Sequence, residues 1–467
     1  MSISLDFGRE IVDRVLEKGV DDVVVRLQER VYELILFDSG VLRSFNVTKG
    51  SGVGIKVSFG GSTGYSYTSS LDRESIAIAI EKAISAAKSL SRHGVSKKFC
   101  SYRGLRGAYQ ALVKVSPLDV DPERKTTLVR ELNTESMKRS GIVSAVTRYG
   151  CEIDRRIVVT SYGSEIDMRV TAVGISHMAV AKSGDVMERA HDQKTFIGGF
   201  EYIDSFDWTN FTEEIDKLAI EASQSKTPSP GVYTAVVDNR LIGLLLHEAF
   251  GHATEGDTVV AGASILRGRI GESIASNAVT IVDDGLIDGG YPVPYDDEGI
   301  KKGRTVVVEN GILRSFLSSR YTAVDLNQGL TGNARAQDIT FDAIVRQTNF
   351  YMLPGESKVE ELFDGISTGF YLLGRGAMGG QVDPSVGTFT FSIGPSYIIR
   401  NGEPSELVRG TIVSGNIIET LKEVDLIAKD LKVDTSVFGG CGKGGQMVRV
   451  GTGGPHIRVR RIVIGGA

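Results

Sequence analysis

Short runs of alternating apolar and polar residues, separated by glycine turns, constrain this chain more than any other feature. A side chain every second residue on one face is the periodicity of a strand, not a helix. Such runs cover Asp22 to Gln28, Tyr32 to Phe37 and Val41 to Val47, with Asp38-Ser39-Gly40 as the turn between the second and third. Further strands are predicted through Gly52 to Phe59 and Gly64 to Thr68. Helices bracket them: Phe7, Ile11, Val15 and Leu16 share one face of the first, which Gly19 stops, and Ile76, Ile80, Ile84 and Ala87 line the second, ending near Gly94. Glycine accounts for 56 of 467 residues, well above the usual share of about 7%. Aromatics are only 7%, so glycine-punctuated sheets fit better than a helical bundle.

The pattern divides the chain into three domains of an α+β protein. Residues 1–95 read as a helix, an antiparallel meander and a helix. Residues 110–224 repeat that order. Asp121-Pro122-Glu123 supplies a cap, a first-turn proline and a first-turn acid for a helix carrying Leu128, Leu132 and Met137. A meander over 142–200 follows, with turns expected near Gly150 and Gly163, then a helix from about Thr212 to Gln224. Ser225 to Gly231, with Pro228 and Pro230, is a linker. Residues 231–467 form a β-rich domain, a curled sheet or barrel carrying one prominent helix. Its strands are predicted at Tyr233 to Val237, Ala278 to Asp283, Thr305 to Glu309, Ile312 to Leu317, Phe389 to Ile393 and Ser396 to Arg400. Asn310-Gly311 and Asn401-Gly402 mark hairpins.

The helix of the third domain holds the chemistry. Two of six histidines, His247 and His252, follow an apolar run, and Glu248 sits against the first. Neutral imidazoles are common zinc ligands, and a neighbouring glutamate suits deprotonation of a metal-activated water. The familiar zinc-peptidase motif spaces its histidines four apart, on one helical face. Here the spacing is five, which on a regular helix leaves the side chains about 140° apart. Either the histidines serve different faces, or the helix is distorted around Phe250-Gly251, as a π turn would do. Gly251 is the residue best able to tolerate that.

A catalytic zinc needs a third protein ligand and an open position. Glu255 and Asp257 are nearby candidates, and Cys441 and His456 distant ones. Cys441 lies among glycines beside Lys443, a setting that permits close backbone approach and favours thiolate. The ordinary reading of a lone cysteine is a small buried residue. Cys100 and Cys151 have no comparable setting, and His456, after Pro455, reads as structural. Glu248 reads either as general base or as a salt-bridge partner. Asp296-Asp297-Glu298-Gly299 reads as a mobile acidic loop. The stretch from Gly376 to Pro384 lacks the lysine and strand–loop–helix order of a phosphate loop, and reads as close backbone packing near a site or peptide groove.

The formal net charge of −5, with both signs interspersed, gives nucleic-acid binding no support. Three scattered cysteines fit a reducing compartment. No signal peptide is apparent and no apolar run approaches the ~18 residues of a membrane span. A cytoplasmic protein is the expectation.

Taken in order, His247-Glu248-Ala249-Phe250-Gly251-His252 with Glu255 and Asp257, the Asp296 to Gly299 run, Arg346 with Thr348-Asn349, Gly379 to Pro384 and Cys441-Gly442-Lys443 resemble the TldD/PmbA family, specifically its metal-binding TldD-type subunit. The resemblance extends over essentially the whole chain. It implies a cytoplasmic zinc metalloprotease acting on unfolded or flexible peptides, with His247, His252 and Cys441 as ligands and Glu248 as base. It also puts forward Asp297, Glu298, Arg346, Asn349, Gly380 and Gln381 as substrate-binding residues. The implied partner is a PmbA-type (TldE) subunit or a second copy of the chain. The competing reading is a non-catalytic peptide-binding or modulator protein with a structural zinc.

Overall fold

A computed structural model describes residues 3–94, 96–376 and 379–466. The strands before the linker form one seven-stranded sheet. They are β1 (Asp22–Asp38), β2 (Val41–Phe59), β3 (Ser62–Thr68), β4 (Arg106–Gln110), β5 (Ile142–Thr160), β6 (Glu165–Ser183) and β7 (Val186–Ile197). Their order is β3-β2-β1-β5-β6-β4, with β7 also on β6. All pairings are antiparallel except β4 with β6. The first two segments therefore meet in a single ladder between β1 and β5.

Alternation along these strands sorts the two faces. Val23, Val25, Leu27, Ile35 and Phe37 of β1 point one way, with Tyr149, Cys151, Ile157 and Val159 of β5, and all are buried. Four helices cover this face. Leu5–Leu16 and Arg73–Arg92 close one hydrophobic cluster, and Pro122–Met137 and Trp208–Gln224 close the other. Ser4, Asp72, Asp121 and Asp207 cap them, each accepting a first-turn N–H. The intervening residues, among them Arg26, Gln28, Arg30, Glu152, Asp154 and Arg156, face the third domain. Polar alternation therefore marks an internal interface here, not a solvated face.

Two expectations fail in this sheet for physical reasons. The runs at Asp22 and Tyr32 belong to one strand of 17 residues, since Glu29, Arg30 and Val31 continue both ladders. Gly150 makes no turn but lies in the middle of β5. A Cβ there would stand 2.8 Å from the Phe438 ring and 2.9 Å from Val437, so the glycine admits a segment of the third domain. The turn at Gly163 is present, with φ at 91°.

The third domain contains a closed five-stranded barrel. Strands β8 (Gly231–Val237), β9 (Thr368–Leu372), β10 (Thr388–Arg400), β11 (Glu403–Asn416) and β12 (Ile457–Gly466) pair in the ring β9-β8-β12-β11-β10-β9. The predicted strands at Phe389 and Ser396 are thus one strand, bulged around Gly394. The hairpin signals at Asn310-Gly311 and Asn401-Gly402 hold, all four residues having positive φ. A six-stranded sheet, including Ile281–Asp284, Asn349–Met352 and Gly451–Gly454, packs beside the barrel. The helix bearing the histidines runs through the shared core of both, with Leu241, Leu245, Leu246 and Phe250 at 0–2% exposure.

Among the described residues, no helix is long and apolar enough to cross a membrane.

Candidate metal centre

Asp238 starts the histidine helix, its Oδ1 accepting the Leu241 N–H at 2.8 Å. The α-helical stretch Asn239–Leu245 gives way to a π turn over Leu246–Phe250, then to a tight 3₁₀ turn over Gly251–Thr254. The Gly251 N–H donates to the Leu246 carbonyl, the i→i+5 bond that absorbs one extra residue. The five-residue spacing and the helix are reconciled in this way. The rings of His247 and His252 come to 5.2 Å between centroids. Gly251 has an ordinary helical φ of −59°, so its value is not backbone freedom. A Cβ there would lie 2.1 Å from Gln347 Oε1, and the Gln347 amide donates to the His247 carbonyl at 3.1 Å. The glycine lets the next sheet grip the π turn.

Cys441 arrives on a short hairpin, Cys441–Lys443 against Gln446–Val448. Its Sγ stands 3.2 Å from His252 Nε2, and the donor atoms of His247, His252 and Cys441 all lie within 4.8 Å of one another. Both ring nitrogens of His247 are buried without a hydrogen-bond partner. An imidazole is not normally left so, and two nitrogens with one sulfur are a donor set that zinc accepts. Burial pushes the Cys441 thiol up, but the neighbouring His247 and His252 imidazoles outweigh it and bring it down to about 5.

Glu255 supports this group. Fully buried, it accepts from His252 Nδ1 at 3.0 Å and from Lys443 Nζ at 2.9 Å, both on Oε2. Burial favours its neutral form, yet His252 and Lys443 hold it at about 2. A carboxylate on the far nitrogen of a ligating imidazole fixes ring orientation and basicity. The sequence offered Glu255 as a ligand, and its placement behind His252 makes it a positioning group. Asp257 also faces outward from the cluster, accepting from Lys443 at 2.6 Å. His456 is elsewhere, bonded to Asp430 and Tyr371. Glu248 lies beside the cluster, its carboxylate 3.9 Å from His252 Nε2 and 36% exposed, so it reaches both the ligands and solvent.

The remaining residues put forward from the sequence do not share one surface. Arg346 is buried and donates to the carbonyls of Cys441 and Gln446, fixing the cysteine hairpin. Asn349 is buried in the sheet, bonded to Asp284 and Tyr291. The acidic run Asp296–Glu298 is buried, not an exposed loop. Arg156 pairs with Asp297 at 3.1 Å, the Arg320 N–H donates to Glu298 at 2.9 Å, and three backbone N–H groups donate to Asp296. Gly380 and Gln381 are exposed on the strand Gly380–Asp383, which among the described residues pairs only with β10 and runs close to the π turn. In the expected packing loop at Gly376–Pro384, Ala377 and Met378 lie outside the described residues. Gln347, Arg335 and Arg449 escaped the sequence reading, since nothing local distinguishes them from ordinary polar residues.

The chain matches three family models in sequence. They are the PmbA/TldA metallopeptidase domain 1 over 23–87, the central domain over 115–225 and the C-terminal domain over 230–466. It is 36% identical over 469 residues to a metalloprotease of Methanothermobacter thermautotrophicus, covering 100% of both chains. It is 36% identical over 296 residues to the zinc metalloprotease TldD homolog of Saccharolobus solfataricus, covering 62% of this chain and 64% of that one. Among solved structures, TldE from Thermococcus kodakarensis shares the fold with a TM-score of 0.74 at 20% identity, over 98% of this chain and 100% of that one.

Proposed function

This chain belongs to the PmbA/TldA metallopeptidase family, and we propose that it is a zinc-dependent peptidase acting on unfolded or flexible peptides. His247, His252 and Cys441 hold the ion and Glu248 is the general base. The observation that carries this reading is the convergence of the three donor atoms within 4.8 Å around a histidine whose ring nitrogens are otherwise unpartnered. When bound, zinc supplies a Lewis acid that polarises a peptide carbonyl and acidifies water.

The chain's own groups do the rest. Glu248 is exposed enough to take a proton from water and near enough to the ligands to do so at the centre. The same carboxylate then delivers the proton to the departing amine. Glu255 and Lys443 keep His252 oriented, and Arg346 holds the Cys441 carbonyl. Three such ligands would leave a fourth position for water or substrate, as a catalytic rather than structural site requires. The free edge of Gly380–Asp383 suits strand addition by an extended peptide, with Gly380 and Gln381 as contacts, because main-chain pairing tolerates many sequences. A TldE-type subunit or a second copy of the chain is the proposed partner. A reducing cytoplasm suits a ligand cysteine that must stay unoxidised.

Metal analysis and peptide cleavage of the wild type and Glu248→Gln test the mechanism. Zinc retained with cleavage lost is the expected result. Undiminished cleavage by the variant would overturn the role of Glu248, and freshly purified protein free of metal would overturn the site.

A further inference from the structure

A cavity of about 250 Å³ separates the polar face of the N-terminal sheet from the third domain. Its charged walls are almost fully paired. Glu152 takes Arg449 at 3.0 Å and Arg30 at 3.0 Å. Arg156 spans Asp154 at 2.8 Å and Asp297 at 3.1 Å. Arg335 is the exception. It is 6% exposed and donates only to the carbonyls of Gln347 and Arg449, each at 2.6 Å. Among the described residues no carboxylate lies within 4.0 Å of it. Asp296, also on the wall, turns its oxygens to the N–H groups of Glu298, Ile300 and Ala334 instead. Burial and Glu298 push Asp296 well up, towards its neutral form. Burial, with Arg156 and Arg346 nearby, presses Arg335 down to about 10 against the opposing pull of Asp297, which acts on it without a direct contact. Among the guanidiniums lining the cavity, Arg335 is thus the one whose hydrogen bonds, among the described residues, go to carbonyls and not to a carboxylate.

A buried guanidinium without a directly bonded carboxylate is costly, and its planar fork matches a carboxylate. Met168, Val170, Pro292 and Val293 give the same cavity an apolar lining. The volume suits one amino-acid residue rather than a long chain. Met447, half exposed, stands at the mouth. The hairpin carrying Cys441 links this cavity to the histidine–cysteine cluster, since Val448 lines the one and pairs with Cys441 at the other.

We propose that this cavity binds the free carboxy-terminal residue of a peptide, with Arg335 holding the α-carboxylate and the Met168–Val293 wall holding an apolar side chain. The choice of a peptide as ligand rests on the function proposed above. The site thereby selects peptides by their free end as well as by their extended backbone.

Equilibrium binding to full-length Glu248→Gln protein tests this without hydrolysis, so the outcome stands apart from any cleavage assay. The probes are the acetylated tripeptide alanyl-alanyl-leucine, its carboxamide, and inorganic phosphate as competitor. The acid should bind at least about tenfold more tightly than the amide, the range of a charge-assisted pair. Adding Arg335→Gln should abolish that preference. Met447→Glu, which alters an exposed side chain, should weaken the acid about tenfold while sparing the amide, and it decides the matter if Arg335→Gln fails to fold. Equal binding of acid and amide would overturn the proposal, as would a preference that survives both substitutions. Binding of phosphate that the acid peptide cannot displace would overturn it too, marking a simple anion site.

Discussion

The two sides of the proposed metal centre are held in place differently. The histidine turn is embedded in the apolar core between barrel and sheet, with Phe250 fully buried and 6.2 Å from the Phe350 ring. The cysteine side is held by Arg346 and Glu255 within its own domain and, in addition, from outside it. Asp434 pairs with Lys194 at 2.6 Å, Ser436 donates to Gln193 at 2.6 Å, the Val437 N–H donates to Thr195 at 3.1 Å, and Phe438 packs into the space that Gly150 leaves on β5. Further along, Arg449 meets Glu152 of the same strand. One half of the proposed ligand set thus rests on apolar packing, and the other on ionic and polar contacts that reach across the chain. The linker therefore divides two folding segments without dividing the site.

Substitutions can break this contrast at either end. Phe250→Ala should have the largest effect, about 3–5 kcal/mol of unfolding free energy, because nothing nearby can collapse into the space of a fully buried ring. Denaturant unfolding measures it, and a loss below about 1 kcal/mol would contradict core control of the histidine turn. Glu152→Gln should cost about 3 kcal/mol at neutral pH by stranding Arg449 and Arg30. Burial pushes this carboxyl up, but Arg449 and Arg30 outweigh it and hold it below its ordinary value. Its contribution is therefore complete above the unfolded value near ~4.3 and is lost as pH falls through the lower folded value. The gap between wild type and variant should close over that acid range in melts at stepped pH. A gap that persists or widens in acid would reverse the sign assigned here.

Smaller effects separate the two sides more finely. Gly251→Ala should cost about 1–3 kcal/mol through its collision with Gln347. In a double-mutant cycle, Gln347→Ala should recover part of that loss, whereas strict additivity would show that the clash is absorbed elsewhere. Gly150→Ala should cost about 1–2 kcal/mol by crowding Phe438 and Val437. Its distinguishing mark is weakened zinc retention with unchanged hydrogen-exchange protection over Asn239–Leu245. Loss of protection in that helix would mean that the two sides are not separately supported.

These outcomes bear on why part of the molecule could be read from sequence. The π turn was legible because the spacing of His247 and His252 leaves a regular helix no way to bring them together. The helix–meander order and the hairpins were legible because they are local patterns. Gly150 was not, since a glycine in a strand signals either a turn or a close neighbour, and Phe438 is remote in sequence. Asp296–Glu298 reads as a solvated loop until Arg156, Arg320 and Lys56 arrive from other segments. Cys441 stood out from the other cysteines by its glycines and Lys443, whereas Cys151 is an inert core thiol that burial raises to about 12. Arg335 carries no local signal at all. What sets it apart, among the described residues, is the absence of a carboxylate within 4.0 Å.

A single oxygen atom joins the two sides. Glu255 Oε2 accepts from His252 and from Lys443, the latter two residues beyond Cys441. It acts as a tie rod: displacement of the cysteine hairpin pulls on the imidazole, and rotation of the imidazole pulls on the hairpin. If His247, His252 and Cys441 hold zinc as proposed, the cage should open as one body, giving a single step of metal release where loosely joined ligands would let go in turn.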